Sequence, residues 1–189
     1  MRNKYIEADV FRVYGCYNAT SCRKLLFSSK TFRHLYYYRK YKYAVNKLER
    51  CYYHILYCLN IKNSGIELSP SVDLGKGVLF LHPTGITINT KVRAGCNLTM
   101  LKGSTIGNIK AGKREGVPQL GDNVYIGLNS TVVGGITIGD DVLIAPNTFV
   151  NFDIPDHSIV IGNPAVIHYK DNATLNYINN PIDNGGFYK

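Results

Sequence analysis

The sequence has no tryptophan and only two methionines among its 189 residues. No apolar run reaches the roughly 18 residues that a membrane-crossing helix needs, so no spanning segment is expected. The opening residues, Met1 to Asp9, hold no apolar block, so no secretory leader is expected. The five cysteines form no C-x-x-C pair and are odd in number, which argues against a disulfide framework and for a reducing compartment. A cytoplasmic protein is the expectation. No G-x-G-x-x-G stretch exists to supply a dinucleotide-binding domain. Acidic residues are scarce at the front of the chain. Residues 1–60 contain twelve Lys/Arg against three Asp/Glu, and residues 61–189 contain ten of each, so the whole net charge of +9 sits on the N-terminal third.

What the chain does have is a beat of six. Leu120, Ile126, Val132, Ile138, Ile144 and Val150 fall on one frame, and Gly121, Gly127, Gly139 and Ala145 directly follow four of them. That period fits neither the 3.6 of a helix nor the 2 of an alternating strand. It fits a short strand, a turn and a repeat, the hexapeptide signature of a parallel β-helix. A second branched position, at Val124, Ile136, Val142 and Ile154, widens the inward stripe. Upstream, Leu68, Leu74 and Phe80 keep the step, and Ile88, Ala94, Met100 and Ile106 resume it two residues out of phase. Two breaks result. Eight residues replace six around Leu81-His82-Pro83-Thr84-Gly85, and fourteen replace six between Ile106 and Leu120. Insertions in a solenoid emerge as loops on one face, where binding work concentrates. Function is therefore expected at His82 and in the loop 108–119.

Residues 1–63 lack the six-step and read as a basic, Tyr-rich helical region of two or three helices ending near Asn63-Ser64-Gly65. Within it Val45, Leu48, Tyr52, Ile55 and Leu59 form an apolar helical stripe, on which Cys51 and Cys58 are expected as buried small hydrophobes. The run Tyr36 to Tyr43 mixes cations with aromatics. Its expected role is a helix packed by its tyrosines on the first coil, with a solvated basic face; nucleic acid is not expected. Attraction of residues 1–60 to the anionic inner face of a membrane is the other reading of that charge. Residues 64–170 form the solenoid, and the Asn-rich residues 171–189 read as a loose polar tail.

Five segments occur in order: Glu67-Leu68-Ser69-Pro70, Gly75-Lys76-Gly77, Leu81-His82-Pro83-Thr84-Gly85-Ile86-Thr87-Ile88, Thr105-Ile106-Gly107 and Gly162-Asn163-Pro164-Ala165. Together they resemble the hexapeptide-repeat acetyltransferases, serine acetyltransferase above all, and the related O-acetyltransferases encoded with capsule and exopolysaccharide genes. The resemblance implies a mainly β fold, a left-handed parallel β-helix preceded by a small α-helical region. It implies a homotrimer with sites between neighbouring subunits and acetyl-CoA as the acetyl donor, with no metal.

Acetyl transfer to a hydroxyl needs a base for its proton, a group that holds the base in one tautomer, and donors for the tetrahedral oxyanion. The resemblance implies His82 as that base and Glu67 as its orienting carboxylate. It also implies donor contacts near Gly107, Gly127, Ser130 and Ala145, along a groove between two solenoids. The basic loop offers Lys110, Lys113 and Arg114 to the phosphates of the donor. Two positions depart from the serine enzymes. Leu81 stands where they carry an Asp beside the base, and Val117 stands where they carry a His before Pro118. An amino-acid ammonium left without its carboxylate is costly to bury. The expected acceptor is therefore a sugar hydroxyl of a surface polysaccharide or its precursor, with L-serine O-acetylation and a non-enzymatic trimeric scaffold as the alternatives. A zinc enzyme on the same fold needs three converging His, and the solenoid offers His82 with only His157 and His168 at its end.

Overall fold

The computed structural model describes residues 2–182. Four helices come first: α1 (Arg2–Tyr14), α2 (Ala19–Ser28), α3 (Lys30–Lys42) and α4 (Lys47–Ser64). Their boundaries follow capping chemistry. The side chains of Asn18, Ser29 and Asn46 each accept the N–H of the residue three places on, and Gly65 closes α4 at φ 72°.

Three parallel sheets follow, joined at sharp corners into a triangular solenoid. The first sheet holds β1 (Ile66–Leu68), β4 (Ile86–Ile88), β7 (Thr105–Gly107), β10 (Thr131–Val133) and β13 (Phe149–Val150). The second holds β2 (Asp73–Leu74), β5 (Arg93–Ala94), β8 (Gln119–Leu120) and β11 (Thr137–Ile138). The third holds β3 (Leu79–Leu81), β6 (Thr99–Leu101), β9 (Val124–Ile126), β12 (Val142–Ile144) and β14 (Ser158–Gly162), with β15 (Ala165–Tyr169) antiparallel at its end. Each strand pairs with its equivalent one coil away, so the inward residue of each hexapeptide stacks on its counterpart a full coil on. Leu68, Ile88, Ile106, Val132 and Val150 form one such buried column. One corner turns through Asn97, Asn123, Asp141 and His157, all at positive φ, a conformation that Asn, Asp and His tolerate better than bulkier residues.

A coil at the end of a solenoid presents unpaired main-chain groups. Here the helices cover them. Tyr38 donates its hydroxyl to Val72 O at 2.8 Å, and Tyr57 donates to Leu68 O. Arg39, fully buried, donates to Leu74 O and Gly75 O at 2.7 and 2.6 Å and pairs with Asp9 at 3.0 Å. Asp9 in turn accepts the Val78 N–H at 2.9 Å. Arg12 donates to Gly77 O and to Thr99 Oγ1. Part of the basic N-terminal excess thus caps carbonyls of the first coil.

Two expectations are corrected. Cys51 and Cys58 are exposed, because α4 turns Tyr57 and Ser64 inward and leaves the stripe of Leu48, Tyr52, Ile55 and Leu59 outward. The C-terminal tail, up to Ile182, packs on the third sheet. Asp141 accepts the N–H groups of Ala173 and Thr174 at 2.9 Å, and Asn97 bonds both main-chain groups of Ile182. Ala173, Ile178 and Ile182 are buried, which an Asn-rich composition conceals. Residues 183–189 of that tail lie outside the described residues.

Candidate active site

The first break in the beat is two residues at one corner. Leu81 pairs with Leu101 in the third sheet and Thr87 pairs with Thr105 in the first. The later coil covers that step in four residues and the earlier one in six, so His82-Pro83 is the added pair. The inserted turn holds His82 at φ 51° with its side chain exposed. Such a backbone costs a residue other than Gly on the order of 1 kcal/mol or more, and it tends to persist where the site needs it. The turn rests on Gly65, where any Cβ would lie 2.2 Å from Pro83 O.

Glu67 points outward from β1 with its side chain exposed, and its Oε2 accepts the Thr87 hydroxyl at 3.4 Å. Glu67, Thr87 and Gly85 wall a cleft of about 440 Å³ together with Lys62 at the end of α4. Among the described residues no hydrogen bond joins Glu67 to His82; both side chains are exposed on the single chain. On the other side of the His82 corner a second cleft, about 530 Å³, is walled by Leu79, Leu81, Val13, Leu175 and Ile178. The imidazole corner thus stands between two clefts, and Arg12, Asn179 and Asn180 add polar groups to the second.

The second break is a hairpin. Ile109 and Gly116 bridge antiparallel, and the turn between them carries exposed Lys110 and Lys113 and half-buried Arg114. Gly134-Gly135 of the next coil form its seat. Gly135 N donates to Arg114 O at 2.9 Å, and a Cβ on Gly135 would lie 2.5 Å from Glu115 O. The signal for this seat in the sequence is a doubled glycine one coil after an insertion. Thr87, the partner of Glu67, carries no signal in the six-beat.

The chain carries a hexapeptide-repeat domain like that of the serine acetyltransferases. The family described as bacterial transferase hexapeptide (six repeats) matches residues 118–151. Serine acetyltransferase 4 of Arabidopsis thaliana is 36% identical over 101 residues, which are 53% of this chain and 28% of that protein. Serine acetyltransferase of Helicobacter pylori is 34% identical over 108 residues, 57% of this chain and 63% of that protein. The chain thus spans less than two thirds of these relatives. A Neisseria gonorrhoeae serine acetyltransferase, solved in complex with serine, superposes with a TM-score of 0.72 at 28% identity, over 88% of this chain and 69% of that one.

In this serine acetyltransferase-like solenoid the expected donor contacts fall into two groups. Gly127 and Ala145 lie on the column that begins at Leu81, one residue before His82. Gly127 is needed there because a Cβ would meet Pro146 N at 2.7 Å. Ser130 is fully buried and donates its hydroxyl to Ala145 O at 2.8 Å, so its side chain is a rung of the core rather than a contact for a ligand. Gly107, Lys113 and Arg114 lie at the opposite corner of the first sheet, where the hairpin leaves the C-terminal end of its central strand β7. A single chain does not bring the two groups together. Among the described residues no group of three His, Cys, Asp or Glu side chains is placed to hold a metal ion. His157 is engaged with Asp141 at 2.9 Å, and that carboxylate raises its pKa.

Proposed function

We propose that this chain transfers an acetyl group from acetyl-CoA to an acceptor hydroxyl. The observation that carries the reading is the added pair His82-Pro83, which holds an exposed imidazole on a strained corner between two clefts. In the reaction His82 takes the acceptor's proton as its oxygen attacks the thioester carbonyl. Collapse of the tetrahedral adduct breaks the C–S bond, and the departing CoA sulfur takes the proton from His82. Glu67 steadies the imidazolium in the assembled site. Lys110, Lys113 and Arg114 meet the donor's phosphates by charge-assisted hydrogen bonds. The two corners that flank the first sheet meet if copies associate about a three-fold axis, each hairpin reaching the His82 corner of the next copy. That arrangement explains why the single chain leaves His82 and the hairpin apart.

Two acceptors remain in play. The similarity to serine acetyltransferases favours L-serine. Leu81 and Val117 favour a hydroxyl without an ammonium group, such as that of a sugar in a surface polysaccharide or its precursor, because neither side chain offers a charge or a donor. Release of CoA thiol on mixing the protein with acetyl-CoA and either L-serine or sugar nucleotides separates them. Turnover confined to L-serine removes the sugar reading, and turnover confined to sugars removes serine. His82→Asn keeps a residue that tolerates the left-handed backbone. Its expected effect is a loss of turnover of about 10²-fold or more with the fold intact. Unchanged turnover in that variant would reject an imidazole base.

A further inference from the structure

On its inner side α4 buries Tyr57 and Ser64. On the opposite side it leaves a row of large apolar residues in solvent. Leu48 is 84% exposed, Tyr52 58%, Ile55 54% and Leu59 66%, and Val45, just ahead of the helix, is 83% exposed. The steps of four, three and four place these helical residues on one face along a rod about 27 Å long. Monomeric soluble proteins rarely leave such a continuous apolar strip uncovered.

We propose that this face docks on an anionic lipid surface. Charge selects that occupant over a second copy of the chain. Residues 1–60 carry the molecule's entire net positive charge, with Arg12 and Arg39 of that set buried, while residues 61–189 balance to zero. Of the three exposed cations of α4, Lys47 and Lys62 stand at the two ends of the apolar row, while Arg50 lies over the Tyr41 ring of α3 at 5.2 Å. Its one acidic residue, Glu49, is tied to the N-terminus of the helix, accepting the Val45 N–H at 3.0 Å. Two such faces brought together would oppose like charges, and their flanks, Cys51 and Cys58, offer no opposite charge to set a pairing. A bilayer takes the apolar row into its headgroup boundary and attracts each nearby cation by about fivefold in partitioning. No helix of the described residues is long and apolar enough to cross a membrane, so the contact is peripheral. The last turn of α4 also walls the cleft that holds Glu67, so docking sets that cleft close to the headgroups. The proposal goes beyond acetyl transfer and stands whichever acceptor is used.

The test is flotation of the purified protein with vesicles of phosphatidylcholine alone and of phosphatidylcholine with phosphatidylglycerol. The triple variant Leu48→Ser, Ile55→Ser, Leu59→Ser is run beside it, with circular dichroism for the fold and light scattering for the assembly. The expected result is binding only to the anionic vesicles, weakened by salt and cut at least tenfold in the variant, with fold, assembly and acetyl transfer to a soluble acceptor unchanged. Absence of wild-type binding to the anionic vesicles would overturn the proposal, as would a variant that binds them as well as wild type. A variant that falls to a smaller assembly while its vesicle binding persists would overturn it in favour of a second copy. Lys47→Glu, a single exposed change, keeps the question decidable if the triple variant folds poorly; at least a fivefold loss of binding is expected there, and no loss counts against the lipid.

Discussion

Two histidines show how differently one residue type is used. His82 stands in solvent on a strained turn. His34, on α3, is completely buried, and neither ring nitrogen has a hydrogen-bond partner; its ring stacks on Tyr57 with centroids 4.7 Å apart. Burial lowers its pKa to about 4, because charging it there finds no compensating group. In the unfolded chain an imidazole titrates near 6.5. As pH falls from about 6.5 to 4, the unfolded chain takes up a proton that the folded one refuses, so stability is lost across that window and not above it. The full loss is on the order of 3 kcal/mol. His34→Phe keeps the stack and removes the titration. Its denaturation midpoint is expected to vary less between pH 7 and 4.5 than that of wild type. Equal pH slopes would show that His34 is not responsible. Nothing in the sequence separates these histidines by type; the break in the six-beat marks His82, and no local signal marks His34 as buried.

At the scale of elements, the solenoid was legible because each coil must place a branched apolar side chain inward at a fixed interval, and Val132, Ile138 and Ile144 do so with no exposure at all. The capping of the first coil was not legible. Arg12 and Arg39 bond main-chain carbonyls, and Arg39 bonds two that lie more than 30 residues away, which no spacing of side chains announces. The stripe of α4 was legible as amphipathic, but periodicity names an apolar face without saying what covers it. The hairpin 109–116 was legible as an insertion, and its seat on Gly134-Gly135 was not. Gly135→Ala tests that seat. Its Cβ would meet a backbone oxygen 2.5 Å away, so the hairpin must shift while the coil, sealed by its own core, stays folded. If the hairpin binds the donor, KM for acetyl-CoA rises severalfold with little change in thermal stability, and amide exchange quickens over residues 109–116. A normal KM alongside quickened exchange would remove the hairpin from donor binding.

At the scale of the whole molecule, the candidate site is divided between the two corners flanking one sheet, and its unity is a question about assembly. Heterologous contacts that close into a ring pair one corner of each copy with the other corner of the next. Two defective chains can therefore complement each other. One carries His82→Asn and an intact hairpin; the other keeps His82 and lacks residues 110–115, the turn beyond the Ile109–Gly116 bridge. Each alone is expected to be inactive. Unfolded together and refolded as an equal mixture, a random closed ring places a sound His82 corner beside a sound hairpin at about one junction in four, so about a quarter of wild-type activity should return. A site completed within each chain predicts no recovery, since every chain then holds a defect of its own. The ratio matters as much as the recovery: doubling either partner at fixed total protein must lower the activity, because the restored junction needs one chain of each kind.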